Sequence, residues 1–159
     1  MDFRKAGLAL ILAGVIVIAA SFLMPRQSEL SVTKVIEGDE AVRMVESIHI
    51  GKFDVESAAI VEFNGGEMRV WIARANSTDL ARVLTEKMAE NVGKFFSSPE
   101  KVSVGGLDTY RVYGNGRVHY FFSFENAVVW VEFESRDEEY HMQVIKRLFL
   151  EGEMEKYIN

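Results

Sequence analysis

No cysteine occurs among the 159 residues. Disulfide staples, thiolate metal sites, iron–sulfur ligation and thiol catalysis are therefore excluded together. Proline occurs twice, so few helices or strands are broken by it. Glutamine also occurs only twice, beside many Glu, Arg and Val, a balance that leans towards heat-adapted proteins. Positive charge is in deficit: 18 Lys and Arg stand against 24 Asp and Glu, a net charge of −6. No basic cluster appears along the chain, so nucleic acid and anionic lipid headgroups are poor partners for it.

Charge is missing altogether from residues 6–24, which follow the basic pair Arg4-Lys5 and end at Pro25. At helical rise that run spans about 28 Å, the hydrocarbon thickness of a bilayer. It reads as a single membrane anchor, residues 1–24. The basic residues before it keep the N-terminus in the cytoplasm and send the rest of the chain outside. A cleaved signal peptide is the competing reading, with Val17-Ile18-Ala19 as a tolerable cleavage pattern, but the apolar run is longer than a signal core. Either way the expected location is outside the cytoplasm, and the expected form is single-pass at the cell membrane. Residues 25–38 read as a juxtamembrane linker, with Ser31 to Ile36 able to form a short strand. Residues 39–152 read as one globular domain and 153–159 as an exposed tail.

Within the domain the patterning predicts an α+β fold. Ala41, Met44, Val45 and Ile48 follow three-and-four spacing, the mark of a short amphipathic helix. Ala58 to Asn64 and Glu67 to Ala75 alternate about Gly65-Gly66 and predict a hairpin. Pairing across it sets Glu62 against Arg69, opposite charges meeting, and Ile60 against Trp71, apolar residues meeting. Leu80, Leu84, Met88 and Val92 recur every four residues behind the Ser77-Thr78-Asp79 start, a second helix. Phe95 and Phe96 follow it and are expected to pack on the core. Strands are predicted at 102–104, 107–113, 117–124 and 127–135, and a last helix behind Ser135-Arg136-Asp137-Glu138. Val70-Trp71-Ile72 and Val129-Trp130-Val131 echo each other, each ahead of a helix, which suggests a duplicated strand-strand-helix unit. The expected architecture is an antiparallel sheet with its helices on one face.

Gly114-Asn115-Gly116 reads best as a three-residue hairpin loop, pairing Tyr110 with Tyr120 and Val112 with Val118. That register puts Tyr110, Val112, Val118, Tyr120, Phe122, Phe124, Val129, Val131 and Phe133 on a core face. Arg111, His119 and Glu132 then share one cross-strand row on the opposite face, beside Phe121 and Trp130. In this arrangement Glu132 orients His119 and the two rings form a stacking wall. Ordinary cross-strand charge pairing would give the same row. The three histidines, His49, His119 and His141, lack the spacing of a two-histidine metal site. No phosphate-binding loop or nucleophile elbow is present, and no cofactor is expected.

These observations point to a membrane-anchored, extracytoplasmic and non-enzymatic binding or interaction module. Its partner would be a protein or a small ligand, met on the face of Arg111, His119, Phe121, Trp130 and Glu132. Two alternatives remain in the sequence: an extracytoplasmic enzyme or metal protein using His119, Glu132 and Arg111, and an accessory subunit of a membrane complex.

Overall fold

The computed structural model describes residues 29–48 and 55–158. The apolar run 6–24, and the anchor read from it, lie outside them. Among the described residues no helix is long and apolar enough to cross a membrane.

The fold is α+β. Seven strands pair antiparallel: β1 (Val32–Glu37), β2 (Ser57–Phe63), β3 (Met68–Arg74), β4 (Glu100–Val104), β5 (Leu107–Gly114), β6 (Arg117–Phe124) and β7 (Ala127–Phe133). They form one sheet in the order β1-β2-β3-β7-β6-β5-β4. Helix α1 (Gly38–Ile48) joins β1 to β2, and α2 (Thr78–Asn91) follows β3. After β7 comes α3 (Glu138–Ile145), continued by a wider turn of helix over Lys146–Leu150, and then the short α4 (Glu155–Ile158). Residues 32–37 thus form an edge strand of the sheet. The short strand expected over Ser31 to Ile36 is present, displaced by one residue.

The β2–β3 register is the expected one, with Glu62 opposite Arg69, Ile60 opposite Trp71 and Phe63 opposite Met68. Asn64, Gly65 and Gly66 all adopt positive φ in the connection. The β5–β6 register is not the expected one. Arg111 lies opposite Tyr120, Val112 opposite His119 and Gly114 opposite Arg117. The loop is the two residues Asn115 and Gly116, with φ of 53° and 77°, the signature of a tight primed turn. Gly114 belongs to the strand, where a Cβ would overlap the ring of Phe96. The glycine therefore serves the close approach of Phe96, not the turn, and every side chain of β5 faces opposite to the expectation.

Alternation along the paired strands sorts side chains onto two faces. One carries Ile60, Trp71, Trp130, Phe121 and Tyr110 as neighbours across five strands. The other carries Val61, Val70, Val131, Tyr120 and Arg111. Helices cover both faces, not one. On the first, Ala41 and Val45 of α1 pack with Ala58, Ile60 and Ala73. Ala81 of α2 packs there with Ala75 and Val128, and Met88 and Ala89 pack against Val112 and Phe121. On the second, Phe149 meets Phe122 edge-on at 5.0 Å and His141 stacks on Phe133 at 4.1 Å. The central strands announce this: Ala58-Ala59-Ile60-Val61 is buried at every residue, the continuous apolar run of a strand covered on both sides.

Ser77 accepts from the Leu80 amide at the start of α2, and Asp137 accepts from the Tyr140 amide at the start of α3. These side chains satisfy amide donors that each helix start leaves open. The paired triplets meet at the centre of the sheet, where Val70, Trp71 and Ile72 lie opposite Val131, Trp130 and Val129. The two hairpins are thus related by an approximate two-fold about that seam, but the helices break it. α2 covers the Trp71–Trp130 side while α3 covers the other. Residues 153–158, expected as an exposed tail, instead bury Met154 and Ile158, and α4 packs against β3. Phe96 packs inward as expected, whereas Phe95 is 69% exposed.

Candidate functional site

Of the five residues singled out from the sequence, four share a face and Arg111 does not. The row through His119 runs Glu62, Arg69, Glu132, His119, Val112 across β2, β3, β7, β6 and β5. Arg69 occupies the role expected of Arg111. Its guanidinium holds Glu132 at 2.8 Å and Glu62 at 2.8 Å, and lies over the ring of Trp71. The pairing of Glu62 with Arg69 is readable in the hairpin register, whereas nothing local marks β3 and β7 as neighbours.

His119 is 2% exposed. Trp130 donates its indole N–H to Nδ1 at 3.1 Å. Nδ1 is therefore an acceptor, and Nε2 carries the proton that it donates to the Gly114 carbonyl at 3.0 Å. Glu132 lies 3.9 Å from Nδ1, too far for a hydrogen bond. Burial pushes the His119 pKa down, opposed by its bond to Gly114 and by the charge of Glu132. The ring is neutral, its tautomer is fixed, and neither nitrogen is free to act as a base.

The expected stacking wall exists but faces inward. Tyr110, Phe121 and Trp130 stack in sequence at 5.2 and 5.1 Å, nearly parallel. Phe96 closes edge-on over His119 and Trp130 at 4.9 and 5.4 Å. Phe121 is fully buried beneath α2 and the turn at Val92. These rings form a second core layer.

Arg111, on the other face, ties three elements together. Its guanidinium holds Glu100 of β4 at 2.6 Å and Glu138 at the start of α3. Tyr113 donates its hydroxyl to Glu138 at 2.6 Å. That bond, followed by the charge of Arg111, lowers the Glu138 pKa, and the same bond raises that of Tyr113. The Arg111 pKa is raised, first by its bond to Glu100. With both terminal nitrogens engaged, this arginine clamps α3 to the β4–β5 edge. Deeper on the same side lies His141, 0% exposed, with Nδ1 3.2 Å from the Tyr120 hydroxyl and Nε2 3.4 Å from Ser135 Oγ. Burial lowers its pKa to about 4 and raises that of Tyr120 to about 12.

One concavity was not anticipated. A groove of about 390 Å³ opens between α2 and the β4–β5 edge, lined by Arg82, Thr85 and Glu86 of the helix and by Lys101, Asp108 and Tyr110 of the strands. Its sequence signal is that Ser103, Asp108 and Ser123 take strand positions that, further across the sheet, are held by Val128 and Ala73. The shifted β5 register hid it.

No family model matches the sequence, and no curated protein matches it. Among solved structures it is similar to a Thermotoga maritima protein described as a GTP binding regulator. The two are 16% identical, with a TM-score of 0.44 over 77% of this chain and 79% of that one. A likeness so distant has no bearing on function.

Proposed function

We propose that this chain is a membrane-anchored module that binds a ligand or partner outside the cytoplasm. The carrying observation is the uncharged run of residues 6–24 behind Arg4 and Lys5, which is long enough to span a bilayer and oriented by its flanking charge. The compact unit that follows begins at Ser31. A sheet with helices over both faces supplies a rigid frame, which suits binding, and a groove of mixed polar and apolar lining opens at the β4–β5 edge. A catalytic His119–Glu132–Arg111 row draws no support from these positions. Arg111 lies on the opposite face, and both nitrogens of His119 are occupied within the protein.

Protease added to intact cells stripped of any surface layer tests the topology. Degradation of residues 26–159 with the anchor spared is the expected result, and full protection of the domain would refute it. A mature chain beginning near Ala20 would show the segment to be a cleaved signal. Affinity purification of the detergent-solubilised full-length protein tests the binding role, with a stoichiometric companion or small molecule expected.

A further inference from the structure

Rows of side chains cross the Trp71–Trp130 face from edge to edge, and their chemistry changes where the helices end. One row runs Ala58, Ala73, Val128, Ser123 across β2, β3, β7 and β6. Asp108 and Ser103, opposite each other on β5 and β4, extend the same face towards the edge. The neighbouring row runs Trp71, Trp130, Phe121, Tyr110, Lys101. Both rows are apolar across β2, β3 and β7; the first turns polar at Ser123 of β6 and the second at Tyr110 of β5, where the groove lies. A volume of about 390 Å³ falls within the range of small-molecule sites, roughly 300–1,000 Å³.

Four charges line the groove, two of each sign. Arg82 is engaged by Glu86 at 3.4 Å and Asp79 at 3.7 Å. Lys101 and Asp108 have no ion-pair partner among the described residues. The Lys101 ammonium instead lies 5.5 Å over the Tyr110 ring. Lys101 stands opposite Tyr110, and Asp108 is two residues along the same strand, so the two are diagonal cross-strand neighbours, about 7–8 Å apart. A simple anion placed there would meet Asp108 and Glu86, and a simple cation would meet Lys101 and Arg82. A molecule carrying both charges on either side of one carbon matches a groove that presents one unpaired charge of each sign, with a charge-assisted hydrogen bond to each.

We infer that the groove binds a free α-amino acid as its zwitterion, with the carboxylate on Lys101, the ammonium on Asp108 and the Tyr110 ring as the wall between them. The hydroxyls of Ser103 and Ser123 are placed to receive a polar side chain. This assignment rests on the binding role proposed above and names the ligand class for it.

The test is titration calorimetry of the full-length protein in detergent with each of the twenty common L-amino acids. The α-amide and N-acetyl forms of any that binds follow. At least one amino acid is expected to saturate a single site, and removing either charge should weaken it about tenfold or more, as for a lost hydrogen bond to a charged group. Lys101→Met and Asp108→Asn should each show the same loss with an unchanged melting midpoint, since both side chains are exposed. Silence with all twenty amino acids would overturn the assignment. So would an N-acetyl form that binds as well as its parent, or Lys101→Met binding unchanged. If the amino acids fail while the purified protein still carries a stoichiometric companion, the groove assignment falls and the binding-module reading stands. If both fail, both fall.

Discussion

The two faces of the sheet each bury one histidine, and the surroundings of the two rings differ. On the Trp71–Trp130 side, His119 sits in a row with Glu132, which Arg69 holds in turn, and is capped by the edge of Phe96. On the other side, His141 is stacked on Phe133 and lies within hydrogen-bond reach of the Tyr120 and Ser135 hydroxyls. Both are neutral because burial outweighs every favourable contact to the charged form. A nearby carboxylate is therefore not enough to make a histidine a pH-active base when the ring is desolvated and its lone pair is already bound. The sequence feature most suggestive of chemistry turns out to be a means of filling a core with polar side chains whose hydrogen bonds are satisfied.

If both faces are core, truncating the central ring on either should cost similar amounts. Phe121→Ala and Phe122→Ala are each expected to lose about 3–5 kcal/mol in denaturant titrations. Trp130→Ala should fall towards the lower end, since its ring is only partly buried. A Phe121→Ala loss below 1 kcal/mol would break the equivalence and return that face to solvent.

The histidines predict a pH dependence of definite sign. Their folded pKa values lie below the unfolded value near 6.5, so the unfolded chain takes up protons first. Stability is full above about pH 6.5 and falls as pH drops towards 4, the folded value for His141. That ring alone accounts for a loss on the order of 3 kcal/mol across the window. His141→Gln should flatten the profile of denaturation midpoint against pH. A profile that rises on acidification would contradict neutral burial.

Gly114→Ala should displace Phe96 from His119 and cost about 1–3 kcal/mol by overpacking, whereas Gly116→Ala perturbs only the turn. Thermal melts of the pair would show which glycine answers to packing. The smallest effects belong to the helix caps. Ser77→Ala on one face and Asp137→Ala on the other should each cost about 1 kcal/mol. A markedly larger loss at Asp137 would show that the Arg111–Glu138 clamp depends on the cap.

Much of the fold was legible because local signals agreed. The β2–β3 register followed from opposite charges and apolar residues meeting across the turn, and the helix stripes from spacing alone. What was missed depended on contacts distant in sequence. Gly114 looked like a turn residue, and only the ring of Phe96 explains why it is a strand residue. That single slip moved Arg111 to the wrong face and Tyr110 and Val112 with it. Met154 and Ile158 sit in a polar stretch, and nothing local marks them as core. The second helical layer is implied by unbroken apolar runs such as 58–61, which fit a two-sided strand better than half-buried alternation. Within the candidate site, the Phe121–Trp130 and His119–Glu132 neighbours were correctly paired from sequence. Their burial was not readable, because it depends on where α2 comes to rest.

The seam between β3 and β7 has a consequence in time. Each hairpin can form from neighbouring residues, but the seam joins segments roughly sixty residues apart and adds loop-closure entropy to the assembly. During synthesis β3 emerges with its partner not yet made. Its Met68-Arg69-Val70-Trp71-Ile72 edge then stands open, the kind of strand that recruits other chains. The growing chain is therefore most vulnerable to aggregation after α2 is complete and before β7 appears. A ribosome pausing in that interval would prolong the exposure.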